Sequence, residues 1–279
     1  MPPPSLADAA RVVADAAVYR VKKREAGNLV TSISLAVALG LALRDVAHRF
    51  AFGLALNLFV YLVNDCFDVD VDAHAEGRDR ARTRFLAEHV ASGWLGVVLV
   101  GAACLAIAAA HGRGLLLVFA INVVVIIAYS RWLKRMPIGD LLAMAAWGVS
   151  MALVGTPLDA GDGLRLVGLL GLLCVVTEGV QVIRDEPTDR AAGVRTTAVA
   201  FGVGATALVT RLMIVVSAAY ATLLLHRFFG VVLLLGLLTP YTTAAAERSW
   251  DRLRVLFGLT WLAILAHRAL GGHLLPLLG

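Results

Sequence analysis

Apolar residues run through this chain in long blocks, not in the spaced stripe of a soluble helix. Nine blocks of 17–23 residues, at 28–44, 50–67, 89–110, 114–132, 138–157, 164–184, 203–225, 228–246 and 252–271, are separated by short polar stretches. A helix needs about 20 apolar residues to cross the hydrocarbon core of a bilayer. Only helices and closed barrels satisfy every backbone polar group there, and no stretch alternates with the two-residue period of a barrel strand. The pattern predicts an all-α, polytopic membrane protein of about nine transmembrane helices.

Residues 26–279 read as a single transmembrane domain, and residues 1–25 have a different character. Their Ala/Val stretch is broken by Asp8, Arg11 and Asp15 and closes on Arg20, Lys22, Lys23 and Arg24, unlike a cleavable signal peptide. Ser5-Leu6-Ala7-Asp8 has the form of a helix start. An interfacial helix with its basic end at anionic lipid fits this segment, with a frayed tail as the alternative.

Composition agrees with the bilayer as solvent. Hydrophobic residues make up 59% of the chain and charged residues only 16%, where soluble domains carry about 25% charged. The net charge of +5 does not form one basic footprint, so nucleic acid is not an expected partner. Eighteen of the 25 Lys and Arg residues lie in the N-terminal segment and around 78–84, 131–135, 184–195 and 248–254, and six lie in the loops of the other side. That asymmetry predicts a cytoplasmic N-terminus and, with nine spans, a C-terminus on the opposite side. Cys66, Cys104 and Cys174 are too few and too scattered for a disulfide framework or a metal knuckle.

Two acidic clusters interrupt the apolar pattern. The second block ends in Asn64-Asp65-Cys66-Phe67-Asp68-Val69-Asp70-Val71-Asp72. On a helix Asp65, Asp68 and Asp72 fall within an arc of about 60°, and Asn57, Tyr61 and Asn64 extend that face into the membrane. The sixth block carries Glu178, Gln181, Asp185 and Asp189, which share a face within about 80° if the helix survives Pro187. Carboxylates on one stripe repel each other unless a cation sits between them. Hard divalent ions with phosphate oxygens completing their shell are a common partner. Two such stripes facing each other predict two Mg²⁺ ions with a diphosphate between them. Arg78, Arg131, Lys134 and Arg184, with Asn57, Asn64 and Gln181, are the candidate diphosphate contacts, because guanidinium and ammonium groups suit phosphate oxygens.

These residues bring out a resemblance. Asn64-Asp65-x-x-Asp68-x-x-x-Asp72 resembles the first signature of the UbiA-type membrane prenyltransferase superfamily. Asp185-x-x-x-Asp189-x-x-x-Gly193-x-x-Thr196 resembles the second, and Tyr129 through Lys134 is similar to its Tyr/Lys stretch. Arg84-Phe85 departs from the Arg-Pro pair that many members carry. The resemblance implies nine helices around a central cavity and Mg²⁺-dependent transfer of a prenyl chain from a polyprenyl diphosphate to an acceptor in the lipid bilayer. In that reading Asp65, Asp68, Asp72, Asp185 and Asp189 are direct or water-mediated metal ligands, and Asp65, Asp68, Asp185 and Asp189 are catalytic. Tyr129 or Tyr61 offers a π face to the developing carbocation, and Glu178 or a carboxylate of the clusters is the candidate proton acceptor. A membrane terpene cyclase uses the same chemistry without an acceptor, and an ion or lipid transporter is the alternative from another class.

Overall fold

The computed structural model describes residues 3–23, 26–72 and 80–275, and of residues 70–72 and 80 it describes the backbone only. Twelve α-helices follow one another: α1 (Leu6–Lys22), α2 (Gly27–Ala38), α3 (Leu43–Asp72), α4 (Arg80–Glu88), α5 (Val90–His111), α6 (Arg113–Arg131), α7 (Gly139–Ala152), α8 (Gly161–Ala191), α9 (Thr197–Phe201), α10 (Val203–Leu224), α11 (Arg227–Val232) and α12 (Ala246–Ala269). Short 3₁₀ turns follow α6, α7 and α11 and precede α12. No strand occurs among the described residues.

Each of the nine apolar blocks holds a helix, but the expected count of nine full spans is not what the lengths give. Among the described residues five helices are long and apolar enough to cross a membrane: Leu43–Val69, Val90–His111, Arg113–Arg135, Gly161–Ala191 and Val203–Leu224. A sixth is counted if Arg227–Leu238 and Thr243–Ala269, bent by 119° at their break, form one span. Gly27–Ala38 and Gly139–Gly155 are shorter. The first block falls short because Gly40 takes a left-handed conformation, with φ of 71°, and ends α2 early. The chain then restarts as α3 at Leu43, seven residues before the apolar block that predicts it.

The two helices that carry the acidic clusters are the inner ones. The most apolar part of α8 is 72% buried and that of α3 50%, against 28–33% for α5, α6 and α10. α3 packs against α5 and α6, α7 against α8, and α8 in turn against α10 and α12. The outer helices expose Val98, Val124 and Leu208, as surfaces facing lipid do. Polar contacts inside the bundle are clasps between helices. Asn122 on α6, fully buried, donates to the Ser150 carbonyl on α7 and accepts from the Ser150 hydroxyl at 2.9 Å.

α1 is a folded helix and not a frayed tail. The Ser5 side chain accepts from the Asp8 amide at 3.2 Å, and the Ser5 amide donates to Ser92 Oγ at 3.1 Å, tying the helix start to α5. Ala9, Val12 and Ala16 bury one face of α1, while Leu6, Val18 and Val21 stay exposed.

α2 and the turn after α7 approach closely through their backbones. Ser32, fully buried, donates to the Met151 carbonyl at 2.7 Å. A Cβ on Gly155 would collide with the Ser32 carbonyl oxygen, which is backbone and cannot swing away. Gly155→Ala is expected to cost about 2–3 kcal/mol of stability. A thiol-reactive dye reads this out on heating, because Cys66 and Cys104 are buried and free. An unchanged midpoint would contradict the packing described.

Candidate active site

The first acidic stripe lies on α3, which runs unbroken to Asp72, so Asn57, Tyr61, Asn64, Asp65 and Asp68 keep the helical register expected of them. The Asp72 side chain and the whole of Arg78 lie outside the described residues. Asp65 is 3% exposed and Asp68 6%. A carboxylate at that depth needs compensation, since an unpaired buried charge is costly. Asp65 has two guanidiniums, Arg20 Nη2 at 2.6 Å on Oδ1 and Arg82 Nη1 at 2.7 Å on Oδ2. Asp68 is paired with the ammonium of Lys134, from the 3₁₀ turn between α6 and α7. Asn64 accepts from Ser130 Oγ at 3.3 Å. Asn57, deeper in the bundle, is buried, and its Oδ1 has no hydrogen-bond partner among the described residues.

The second stripe lies on α8. This helix continues through Pro187 to Ala191, so Asp189 stays on the face of Glu178, Gln181 and Asp185. Pro187 is exposed. Asp185 is held by its neighbour Arg184, with Nε and Nη2 each at 2.7 Å from a carboxylate oxygen. Asp189 accepts from Thr196 Oγ1 at 3.2 Å. Glu178 is buried and makes no ion pair among the described residues.

Gly193 explains how Thr196 gets back to Asp189. Its φ of 71° closes α8 in a reversal in which Gly193 N–H donates to the Arg190 carbonyl and Val194 N–H to the Asp189 carbonyl. A residue with a Cβ is strained in that conformation. The spacing Asp189-x-x-x-Gly193-x-x-Thr196 is therefore a folded unit: acid, turn, and hydroxyl returning to the acid.

Lys134 links the two stripes: it pairs with Asp68, and the turn that carries it is tied to the loop behind Asp189 by the Ile138 amide, which donates to Thr197 Oγ1 at 2.7 Å. Tyr129 is half-buried at the end of α6. Arg131 is not brought in: it is exposed and its guanidinium lies 5.4 Å from the centre of the Trp132 ring. Gln181 is half-buried on the α8 face.

Two groups escaped the sequence reading. Arg20 reads as one more topology-setting cation, yet it reaches Asp65 from α1 and stacks on Tyr61 at 4.1 Å. Asp140 sits outside both acidic clusters, yet it is 1% exposed and accepts from the Thr197 amide at 2.7 Å. The spacing of Arg20 from Tyr19, with the helix start at Ser5, is the only sequence signal for the first; the second has none.

All the acids of the two stripes present oxygen donors, the ligand set that hard divalent ions take. Among the described residues no three His, Cys, Asp or Glu side chains already form one metal-ligating group. The pairs Asp65/Asp68 and Asp185/Asp189 would each give an ion one or two carboxylates, with phosphate oxygens and water as the other ligands. That share suits Mg²⁺, which is commonly held by one or two carboxylates plus substrate phosphates.

These features define a polytopic helical membrane protein with an acid–base site at one end of its bundle. The chain belongs to the UbiA prenyltransferase family, whose model matches residues 28–255. A digeranylgeranylglyceryl phosphate synthase of Korarchaeum cryptofilum (strain OPF8) is 32% identical over 112 residues, which span 38% of this chain and 40% of that relative. A structure of digeranylgeranylglyceryl phosphate synthase in membranes is similar at a TM-score of 0.69 and 13% identity, over 94% of this chain and 99% of the other. A UbiA homologue from Archaeoglobus fulgidus bound to GPP and Mg²⁺ is similar at a TM-score of 0.63 and 18% identity, over 88% and 95% of the two chains. At those identities the structural likeness is one of fold.

The paired guanidiniums on Asp65 generate a prediction. Arg20→Gln or Arg82→Gln alone leaves one cation on the buried carboxylate, while the double variant leaves none. The double variant should lose more thermal stability than the sum of the two singles, by at least about 1 kcal/mol. Simple additivity would show that the two arginines do not share Asp65.

Proposed function

We propose that this protein moves a prenyl chain from a polyprenyl diphosphate to an acceptor inside the bilayer, with Mg²⁺ as cofactor. The observation that carries the reading is the placement of Lys134, which pairs with Asp68 on α3 from a turn that the Ile138–Thr197 hydrogen bond ties to the loop holding Asp189 of α8. Family membership and the archaeal relatives support it, one of them a homologue bound to GPP and Mg²⁺ and another to DMAPP and Mg²⁺.

In this reading Asp65, Asp68, Asp72, Asp185 and Asp189 would hold the metal. Bound Mg²⁺ would neutralise charge building on the departing diphosphate. Arg184 and Lys134 already sit on carboxylates of the two stripes, and both can turn to phosphate oxygens as these arrive. Asn64 orients the α3 side through Ser130. Gln181 faces the same space from α8, and Asn57 offers an unpartnered oxygen deeper in the bundle. Arg78 belongs to the same proposal.

As the allylic C–O bond breaks, a π face steadies the cationic carbon. Tyr61 already carries the Arg20 guanidinium at 4.1 Å, which favours Tyr129 for that part. The apolar wall of the bundle excludes water that would capture the cation. Glu178, buried and in no ion pair among the described residues, would take the proton released when the acceptor attacks. The acid-bearing end and the N-terminus would face the cytoplasm and the C-terminus the opposite side, in keeping with the distribution of Lys and Arg.

The test is transfer of a labelled prenyl diphosphate by protein in lipid nanodiscs, with lipid extract as the acceptor source. Turnover should stop with EDTA and return with Mg²⁺, and Asp68→Ala and Asp185→Ala should each lower it by about 100-fold or more. Undiminished turnover in either variant, or in EDTA, would end this reading.

A further inference from the structure

The two acidic stripes are linked by a second route that does not run through any ligand. It starts at Lys134, in the turn Leu133–Arg135. That turn packs so closely on the start of α7 that a Cβ on Gly139 would come within 2.9 Å of the Leu133 carbonyl oxygen. Next comes Ile138, whose φ of 69° and ψ of −33° are unusual for a β-branched residue. Such a conformation persists where the surroundings impose it. Here the Ile138 amide donates to Thr197 Oγ1 at 2.7 Å, the Thr197 hydroxyl donates to Asp140 Oδ1, and the Thr197 amide donates to Asp140 Oδ2 at 2.7 Å. The Leu141 amide adds a further bond to Asp140 Oδ1 at 2.8 Å. The adjacent Thr196 then donates to Asp189.

Among the described residues Asp140 forms no ion pair. It is 1% exposed, and its charge is met by N–H and O–H donors at the N-termini of two helices, α7 and α9. Anions are favoured at such ends. A carboxylate is the one side chain of this size that accepts all three bonds at once, because an amide turns one acceptor into a donor.

We propose that Asp140 and Thr197 are positioning residues. They form a buried strut that fixes the Lys134 turn to the Thr196–Asp189 loop, and so sets the separation of the cation and the acid that face a common ligand from opposite sides. The proposal rests on the prenyl diphosphate reading for its effect on catalysis, and on the geometry alone for the strut.

Thr197→Val preserves the volume and removes the hydroxyl, which leaves the Ile138 amide without its acceptor. Thr197→Ser restores the hydroxyl. Hydrogen–deuterium exchange of residues 133–140 should quicken by about tenfold in Thr197→Val and stay within about twofold of wild type in Thr197→Ser. KM for the prenyl diphosphate should rise by about tenfold in the Val variant, with kcat changed less, and return with Ser. Wild-type exchange in the Val variant would overturn the strut, and so would failure of Ser to restore it. Faster exchange with unchanged KM and kcat would overturn the positioning role. A wild-type protein inert toward prenyl diphosphates would instead overturn the proposed function, and the exchange comparison would still decide the strut. Asp140→Asn, if it folds, should match the Val variant in both measurements.

Discussion

A carboxylate buried in a membrane bundle must have its charge met locally, and the architecture around this site follows from that requirement. Asp65, Asp68 and Asp140 are each under 7% exposed. Each is met differently: Asp65 by two guanidiniums, Asp68 by one ammonium, Asp140 by helix-terminal donors. The helices that supply these partners are thereby fixed. α1 is held against α3 by Arg20, the turn after α6 by Lys134, and the loop after α8 by Thr197. The least apolar features of the sequence thus determine how the apolar helices are arranged at this end.

The same compensation explains how the site can exchange partners. Buried ion pairs contribute little net stability when intact and cost much when one partner is lost. The cation that pairs with buried Asp68 can therefore be replaced at small net cost by other positive charge, and in the proposed reading Lys134 would then turn to phosphate oxygens. The strut through Asp140 has no such freedom, because its donors are backbone amides and a hydroxyl. The site combines movable side-chain cations with a fixed backbone frame.

Much of this was legible in the sequence, because helical periodicity converts spacing into direction. The 65/68 and 185/189 spacings were enough to place those acids on common faces, and their sequence pattern resembled the family to which the chain belongs. Ser5 was readable as a cap. The number of full spans was not, since a left-handed Gly40 and a bend of 119° after α11 cut apolar blocks that composition alone cannot divide. Arg20 was hidden among cations that topology would place in that segment anyway. Asp140 was hidden because its distant partners, the amide and hydroxyl of Thr197, lie 57 residues away, and such a long-range contact leaves no local trace. Arg131 shows the opposite error: its neighbour Lys134 turns inward from the 3₁₀ turn, while Arg131, on the last turn of α6, faces out.

The central claim is that the α3 and α8 acids act on one shared ligand. Mn²⁺ binding followed by electron paramagnetic resonance, with and without geranyl thiodiphosphate as a stable diphosphate, tests it most directly. The account predicts that the diphosphate tightens Mn²⁺ binding by about tenfold or more, and that Asp68→Asn and Asp189→Asn each abolish this coupling. Coupling that survives when either stripe is neutralised would contradict it.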